Sequence, residues 1–380
     1  MPGPERRFRR SAVAPSWVPR DSKLSARHPK AKELVMSVRK SSVVWTVSGA
    51  VLIVGAVIIR FAVLPAMTKL PDDLSQSQRY DGTMQALNSQ AFAAGDFAAL
   101  LTPKMPITAD RSLTVDAVDG DTAVVTSNSV VTLPDSSTRD DVHTYAVDRV
   151  DYSPVELTDA QKDSLVPADR RTTFEAHSGL TFSWPMDPAA TDTMLYDPVT
   201  RTAQRATFVD ESEVQGRKVY NYRVDAAGPI GNPALLAGFH GFPAQLPKAM
   251  IEGLLRAGVV PEKSREALTA ALPLLPDPVA IGFGSTNEIA AAVDAEFGAP
   301  LKVEQTQGMY VTVSADGRDI PALPLSIVSI HTAENEVVAS ANTVSKNSTM
   351  LSILGVWLPV AMVVIGIALL SLGIIRRRAA

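Results

Sequence analysis

SVVWTVSGAVLIVGAVII, residues 42–59, carries no charge and continues past Arg60 to Met67, and MLSILGVWLPVAMVVIGIALLSLGII, residues 350–375, contains no ionisable residue. Each run exceeds the ~18–20 residues that a helix needs to cross a hydrocarbon core of ~30 Å. These two runs near opposite ends of the 380-residue chain predict a membrane protein with two transmembrane α-helices, 42–67 and 350–375. Between them lies one long loop, residues 68–349.

Orientation is read from Lys and Arg, which keep their loops cytoplasmic. The first forty residues hold eleven of them against Glu5, Asp21 and Glu33, and the second run ends in Arg376, Arg377 and Arg378. The expected topology is therefore a two-pass protein of the plasma membrane, with a basic cytoplasmic tail over 1–41, an extracytoplasmic domain over 68–349 and a short cytoplasmic tail over 376–380. Pro2, Pro4, Pro15, Pro19 and Pro29 among the charges predict a disordered amino-terminal tail. A cleaved signal peptide is the competing reading of the first run. The forty-residue basic tail, the length of the apolar run and the lack of a clear A-x-A site favour an uncleaved anchor.

The loop 68–349 carries 21 Lys and Arg against 37 Asp and Glu, a formal net charge of −16, while the whole chain is at −4. Such a surface repels anions, and the basic tails suit the anionic inner leaflet, so membrane lipids are expected partners and nucleic acid is not. With no cysteine, disulfides, thiolate zinc sites and cysteine nucleophiles are excluded. A loop of this length suffices for an ordinary hydrophobic core.

Within the loop, Leu113 to Val118, Asp119-Gly120-Asp121 and Ala123 to Leu133 read as a β-hairpin turning at Asp-Gly. Further strands are expected at Val142–Val150, Leu180–Trp184, Thr193–Tyr196, Gln204–Val209 and Arg217–Val224. A helical insertion is expected over about 232–298: one helix carrying Leu246, Met250, Ile251, Leu254 and Leu255 before Gly258, one starting at Pro261, and a third over Glu288–Phe297. Leu301–Val313 and Pro324–Ile330 return to strand. Ser75–Leu101 allows a helix or an extended stalk, and Thr332–Ser348 reads as a strand and short linker. The external part is thus a single α+β, β-rich domain.

No motif carries a catalytic or cofactor assignment. The five histidines lack metal-ligand spacing, and His240, between Gly238-Phe239 and Gly241-Phe242, reads as a structural residue of a tight, partly buried loop. Asp116, Asp119 and Asp121 belong to the hairpin turn and lack the EF-hand pattern. Gly282-Phe-Gly-Ser-Thr-Asn287 resembles a phosphate-binding turn but lacks the third glycine, and reads as a turn with a helix N-cap. The chain is not expected to be an enzyme. Within the spans the single charge is Arg60, whose guanidinium can reach the interface from near the outer end and otherwise marks a pore or interhelical contact. Pro359 is expected to kink the second helix, and Gly355, Ala361, Gly366 and Gly373 to admit a close helix neighbour.

Leu70-Pro71, Gly82, Gly179-Leu-Thr-Phe-Ser-Trp-Pro185, Tyr196-Asp197 and the run from Ala206 through Gly216 to Tyr222 resemble the actinobacterial PorA-type porin family of two-helix membrane proteins. The resemblance is local over about 68–225, and Gly228–Gly298 is less like that family. It implies a cell-envelope protein and, by the family's name, a channel; it carries no functional residue onto this chain. Two helices enclose no pore, so a channel requires a homo-oligomer. The favoured function is a membrane-anchored envelope protein whose external domain binds an envelope protein or an apolar envelope lipid, assisting lipid or cell-wall export. An oligomeric ion channel and an extracytoplasmic enzyme are the alternatives.

Overall fold

A computed structural model describes residues 31–378, with 31–42 as backbone only. In chain order the elements are α1 (Ala31–Ile58), a π turn (Ile59–Val63), α2 (Leu64–Met67), β1 (Ser75–Ala86), α3 (Ser89–Ala94), β2 (Met105–Asp119), β3 (Thr122–Thr132), β4 (Thr138–Asp148) and α4 (Asp159–Leu165). There follow β5 (Thr193–Asp197), β6 (Thr202–Val214), β7 (Arg217–Pro229), α5 (Pro233–Ala237), β8 (Gln245–Leu246), α6 (Lys248–Arg256) and α7 (Glu262–Ala271). The chain ends through β9 (Val279–Asp294), β10 (Pro300–Ala315), β11 (Arg318–Thr332), α8 (Glu334–Ser352), a second π turn (Ile353–Trp357) and α9 (Leu358–Arg378). Among the described residues these elements fall into two compact units, one of 31–54 with 362–378 and one of 55–361.

In the first unit α1 and α9 pack backbone to backbone. A Cβ on Gly49 would stand 2.6 Å from the Gly366 carbonyl oxygen, and one on Gly366 would stand 2.8 Å from that of Gly49, so only glycine admits this approach. The close neighbour expected for Gly366 is thus the chain's own first helix. The guanidinium of Arg376 lies over the Trp45 ring, 5.8 Å from its centroid. Val43–Met67 and the helix Glu334–Arg378 are both long and apolar enough to cross a membrane. The backbone is already helical from Ala31, ahead of the apolar run; the disorder expected for 1–30 lies outside the described residues, as do 379 and 380.

The second unit is built on one antiparallel sheet in the order β4-β3-β2-β1-β11-β10-β9-β7-β6-β5, with β8 beside β9. Two meanders, β1 to β4 and β5 to β11, join where the first strand pairs with the last over Tyr80–Ala86 and Ser326–Thr332. Gly82 is required there, because a Cβ would meet the Ser329 carbonyl oxygen at 2.2 Å. The hairpin at Asp119-Gly120 forms as expected, with Gly120 at φ 60°. Helices α6 and α7 cover β9–β11, burying Ile251, Leu254 and Leu268 against Val311, Val313 and Leu323. Leu157, Val166 and Phe174, from the excursion after β4, cover Val124 and Ala146 on the other wing.

Several expectations are corrected. Ser75–Ala86 is neither helix nor stalk but a strand with partners on both sides, β2 and β11; its Gln and Ser residues conceal that Tyr80 and Met84 face the core. Glu288–Phe297 is not a third helix: Ala290–Ala292 favours helix locally, yet β9 is paired with β7 and β10 and buries Ala291 and Val293, so tertiary context overrides propensity. The helical insertion therefore ends by Leu274 rather than near 298. Gly282–Asn287 lies inside β9 and forms no turn; a Cβ on Gly284 would meet the Thr312 methyl at 2.7 Å. After Thr332 the chain is helical instead of strand and linker, because Val337, Ala341 and Val344 form a stripe, the last two packing with Val219 and Leu301. Leu180–Trp184 forms no strand: it bridges β5 at Leu180 alone and bends at Thr181 and Phe182. His240 is exposed, not partly buried.

Candidate functional site

Arg60 sits in the first π turn, exposed and without an ion-pair partner among the described residues. Each π turn is followed by the same dipeptide, Leu64-Pro65 and Leu358-Pro359. A proline has no N–H to donate back along the helix, and a π turn is a common way of absorbing the disturbance. The two π turns pack on each other, with Leu64 over Gly355.

Across the centre of the sheet runs an open groove of about 610 Å³. Register places Asp81, His331, Glu304, Ala290 and Arg223 in one cross-strand row, and Thr83, Ser329, Thr306, Glu288 and Asp225 in the next. At ~4.8 Å per strand step, each row is ~19 Å long. The Thr306 and Ser329 hydroxyls are 3.1 Å apart at its centre. Lys263 of α7 pairs with Glu288, and Lys302 lies 3.0 Å from Glu304. A smaller cleft of about 310 Å³, lined by Leu275, Pro276, Ile281 and Phe283 among others, lies between β9 and the end of the α7 region, beside Leu274, which is 80% exposed.

A cluster of buried charge lies elsewhere, where β4 and β5 approach. An extended segment after α4 spans them: the Thr144 N–H donates to the Thr173 carbonyl (2.9 Å), Glu175 N–H to Thr144 (3.0 Å), Leu180 N–H to Met194 (2.8 Å) and Tyr196 N–H to Leu180 (2.7 Å). Glu175 is buried there, with Oε1 2.8 Å from His143 Nδ1 and Oε2 3.1 Å from Arg201 Nη2. His143 Nε2 lies 3.0 Å from Asp141. Burial disfavours the His143 cation, but the hydrogen bonds and charges of Asp141 and Glu175 outweigh it and carry the group up to about 9. His177, two residues beyond Glu175, is held down at about 4 by burial against the weaker pull of Glu175. Burial, followed by the Glu175 charge, pushes the Tyr145 and Tyr196 phenols above the usual range. The Tyr145, His177 and Tyr196 rings are in mutual contact, with centroids 5.1–6.0 Å apart.

Neither the groove nor this cluster was legible as a site in the sequence, since each draws on residues far apart in the chain. Among the sequence candidates, Asp116 accepts from the Thr126 hydroxyl (2.5 Å) and Asp121 pairs with Lys69 (2.5 Å), so both serve the hairpin and its neighbours. Among the described residues, no group of three or more His, Asp or Glu side chains is placed to hold a metal ion.

No curated protein sequence matches this chain. Solved structures that align with it include a conserved hypothetical protein of Mycobacterium tuberculosis with a double hotdog fold, 13% identical over 74% of this chain and 80% of that one, at a TM-score of 0.14. Others are an oleoyl thioesterase from Lactobacillus plantarum, 6% identical over 79% and 88% at 0.13, and a MaoC-domain dehydratase from Chloroflexus aurantiacus, 14% identical over 79% and 89% at 0.13. Superpositions this poor say nothing about fold or activity. The family model for Porin PorA matches residues 41–375, from the first apolar helix to the end of the last, and this membrane protein of the cell envelope belongs to the PorA porin family.

Proposed function

We propose that the chain is a two-pass anchor with both termini cytoplasmic, and that its sheet domain binds a polar envelope component outside the cell in the groove across β1, β11, β10, β9 and β7. The groove carries this reading. It is open, ~19 Å across the strands, and presents carboxylates, hydroxyls, Arg223 and His331 beside Ile289, Ala290 and Ile330. Its polarity favours an envelope protein segment or polymer over the apolar lipid expected from the sequence, for which the 310 Å³ cleft is the smaller candidate. Binding rather than catalysis is the reading adopted, because the groove is open along its length.

The family's porin name and the exposed Arg60 favour a second reading, an assembly of several copies whose helices line a pore. Net charge of −16 on the external loop would then draw cations to its mouth. One experiment separates the two. Full-length protein and a Thr306→Arg variant, which fills the groove, are purified in mild detergent and compared by native mass spectrometry. A monomer bearing a bound mass that the variant lacks supports groove binding. A bound mass retained by the variant, or none in either, overturns it, and a discrete empty oligomer with conductance in planar bilayers establishes the channel.

A further inference from the structure

We propose that residues 173–184 are a strap closing the sheet between β4 and β5, and that a protonated His143 latches it shut through Glu175. This reading is independent of the groove. Three observations carry it. The strap is tied to the two outer strands by single bridges, Thr144 to Phe174 and Leu180 to Leu195, whereas neighbouring strands of the sheet share long ladders. Side-chain chemistry adds to these bridges: Glu175 hydrogen-bonds His143 of β4 through Oε1 and pairs with Arg201 of the β5–β6 turn through Oε2, while Leu180 and Trp184 pack into the core beside β6, β7 and β9. Finally, the strap buries polar atoms that lack a hydrogen-bond partner, Glu175 Oε2, His177 Nε2, Thr181 Oγ1 and Trp184 Nε1, and His143 Nε2 beside it has ion-pair contact alone; leaving such atoms dry opposes closure, and opening to water relieves them.

The seam is thus balanced, with a charged latch against polar groups that closure leaves unsatisfied. Facing His143 are Asp141 and Tyr145 from β4, Glu175 and His177 from the strap, and Arg201 from the far side of Glu175; Tyr196 of β5 and Arg111 of β2 complete the shell. Two carboxylates face the imidazolium directly, at 3.0 Å on Nε2 and 2.8 Å on Nδ1, and each favours the proton on His143. Raised to about 9 from 6.5, His143 contributes closure in full below about 6.5, and that contribution is lost as pH rises through 9. His177 acts oppositely. Held at about 4 when closed, it favours closure above 6.5 and withdraws that support as pH falls toward 4. The strap is therefore tightest near pH 6.5 and loosens on either side, progressively as pH rises toward 9, so a local rise in pH opens it.

The test is amide hydrogen exchange on the full-length protein in detergent, expressed as protection relative to the intrinsic rate at each pH. Between pH 7.5 and 10, protection at Glu175, Leu180 and Tyr196 is expected to fall at least tenfold while Val125 in the β3 core is unchanged. His143→Gln should show the open-strap values already at pH 7.5 and no further change. Arg201→Gln keeps the His143–Glu175 pair and should retain the pH dependence, which decides the matter even if the His143 variant fails to fold. Constant strap protection from pH 7.5 to 10, an unchanged profile in His143→Gln, or simultaneous loss in every strand would overturn the latch.

Discussion

The sheet has two seams that the chain must close over long separations, and they are closed by different chemistry. At the first, β1 and β11 pair over seven consecutive residue positions, and Gly82 lets the strands meet without a side chain between them. At the second, β4 and β5 meet through a strap that adds one bridge to each and relies on Glu175, His143 and Arg201. A backbone ladder does not depend on pH and fails with the sheet. A side-chain latch titrates and can release while the ladders on either side persist. The seam next to the connections to both apolar helices is the one built from backbone, so these connections leave from the less yielding part of the sheet.

Damage to the first seam should be the most severe. Gly82→Val places a branched side chain where even a Cβ stands 2.2 Å from the Ser329 oxygen, at an expected cost of ~3 kcal/mol or more. Because both meanders depend on this pairing, circular dichroism should show loss of the whole sheet in one transition at lower denaturant. A normal midpoint would mean that β1 and β11 contribute little to stability. Glu175→Ala comes next, leaving the imidazolium and guanidinium without their shared carboxylate, at ~1–3 kcal/mol. Here the expected loss is local: faster exchange in residues 173–184 with β2 and β3 protected. Uniform loss across the sheet would erase the distinction between the seams. Smallest is Lys69→Ala, which removes the partly exposed pair with Asp121 and should cost ~0.2–1 kcal/mol, detectable as a slight midpoint shift that disappears in high salt.

Side-chain chemistry also holds the helix after β11. Arg217 grips the fully buried Asp294 with two hydrogen bonds of 2.8 and 3.0 Å and reaches Glu296 at 2.9 Å, while Glu296 accepts from the Ser348 hydroxyl of α8 at 2.7 Å. The hydrogen bonds to Asp294 hold the Arg217 guanidinium firmly charged. Like the latch, this is side-chain chemistry, but it is pinned by an arginine rather than a histidine and so does not titrate near neutral pH.

Sequence alone determined what depends on a segment's own composition. Partition of a helix into a bilayer is set by its own side chains, so the apolar runs 42–67 and 350–375 could be read directly. The Asp119-Gly120 turn and the Pro- and Gly-bounded α6 and α7 are equally local, and the structure contains each. Tertiary structure decided what depends on partners. β1 and the second half of β9 are strands because neighbours on both sides supply hydrogen bonds, against the preferences of Gln, Ser and Ala. The groove exists only through the register of five strands drawn from both ends of the domain. His143, Glu175 and Arg201 look unrelated along the chain and become one charged unit only when the curled sheet brings β4, the strap and the turn after β5 together. Composition acts within a segment, whereas pairing and burial act between segments, and the Glu175 latch is entirely of the second kind.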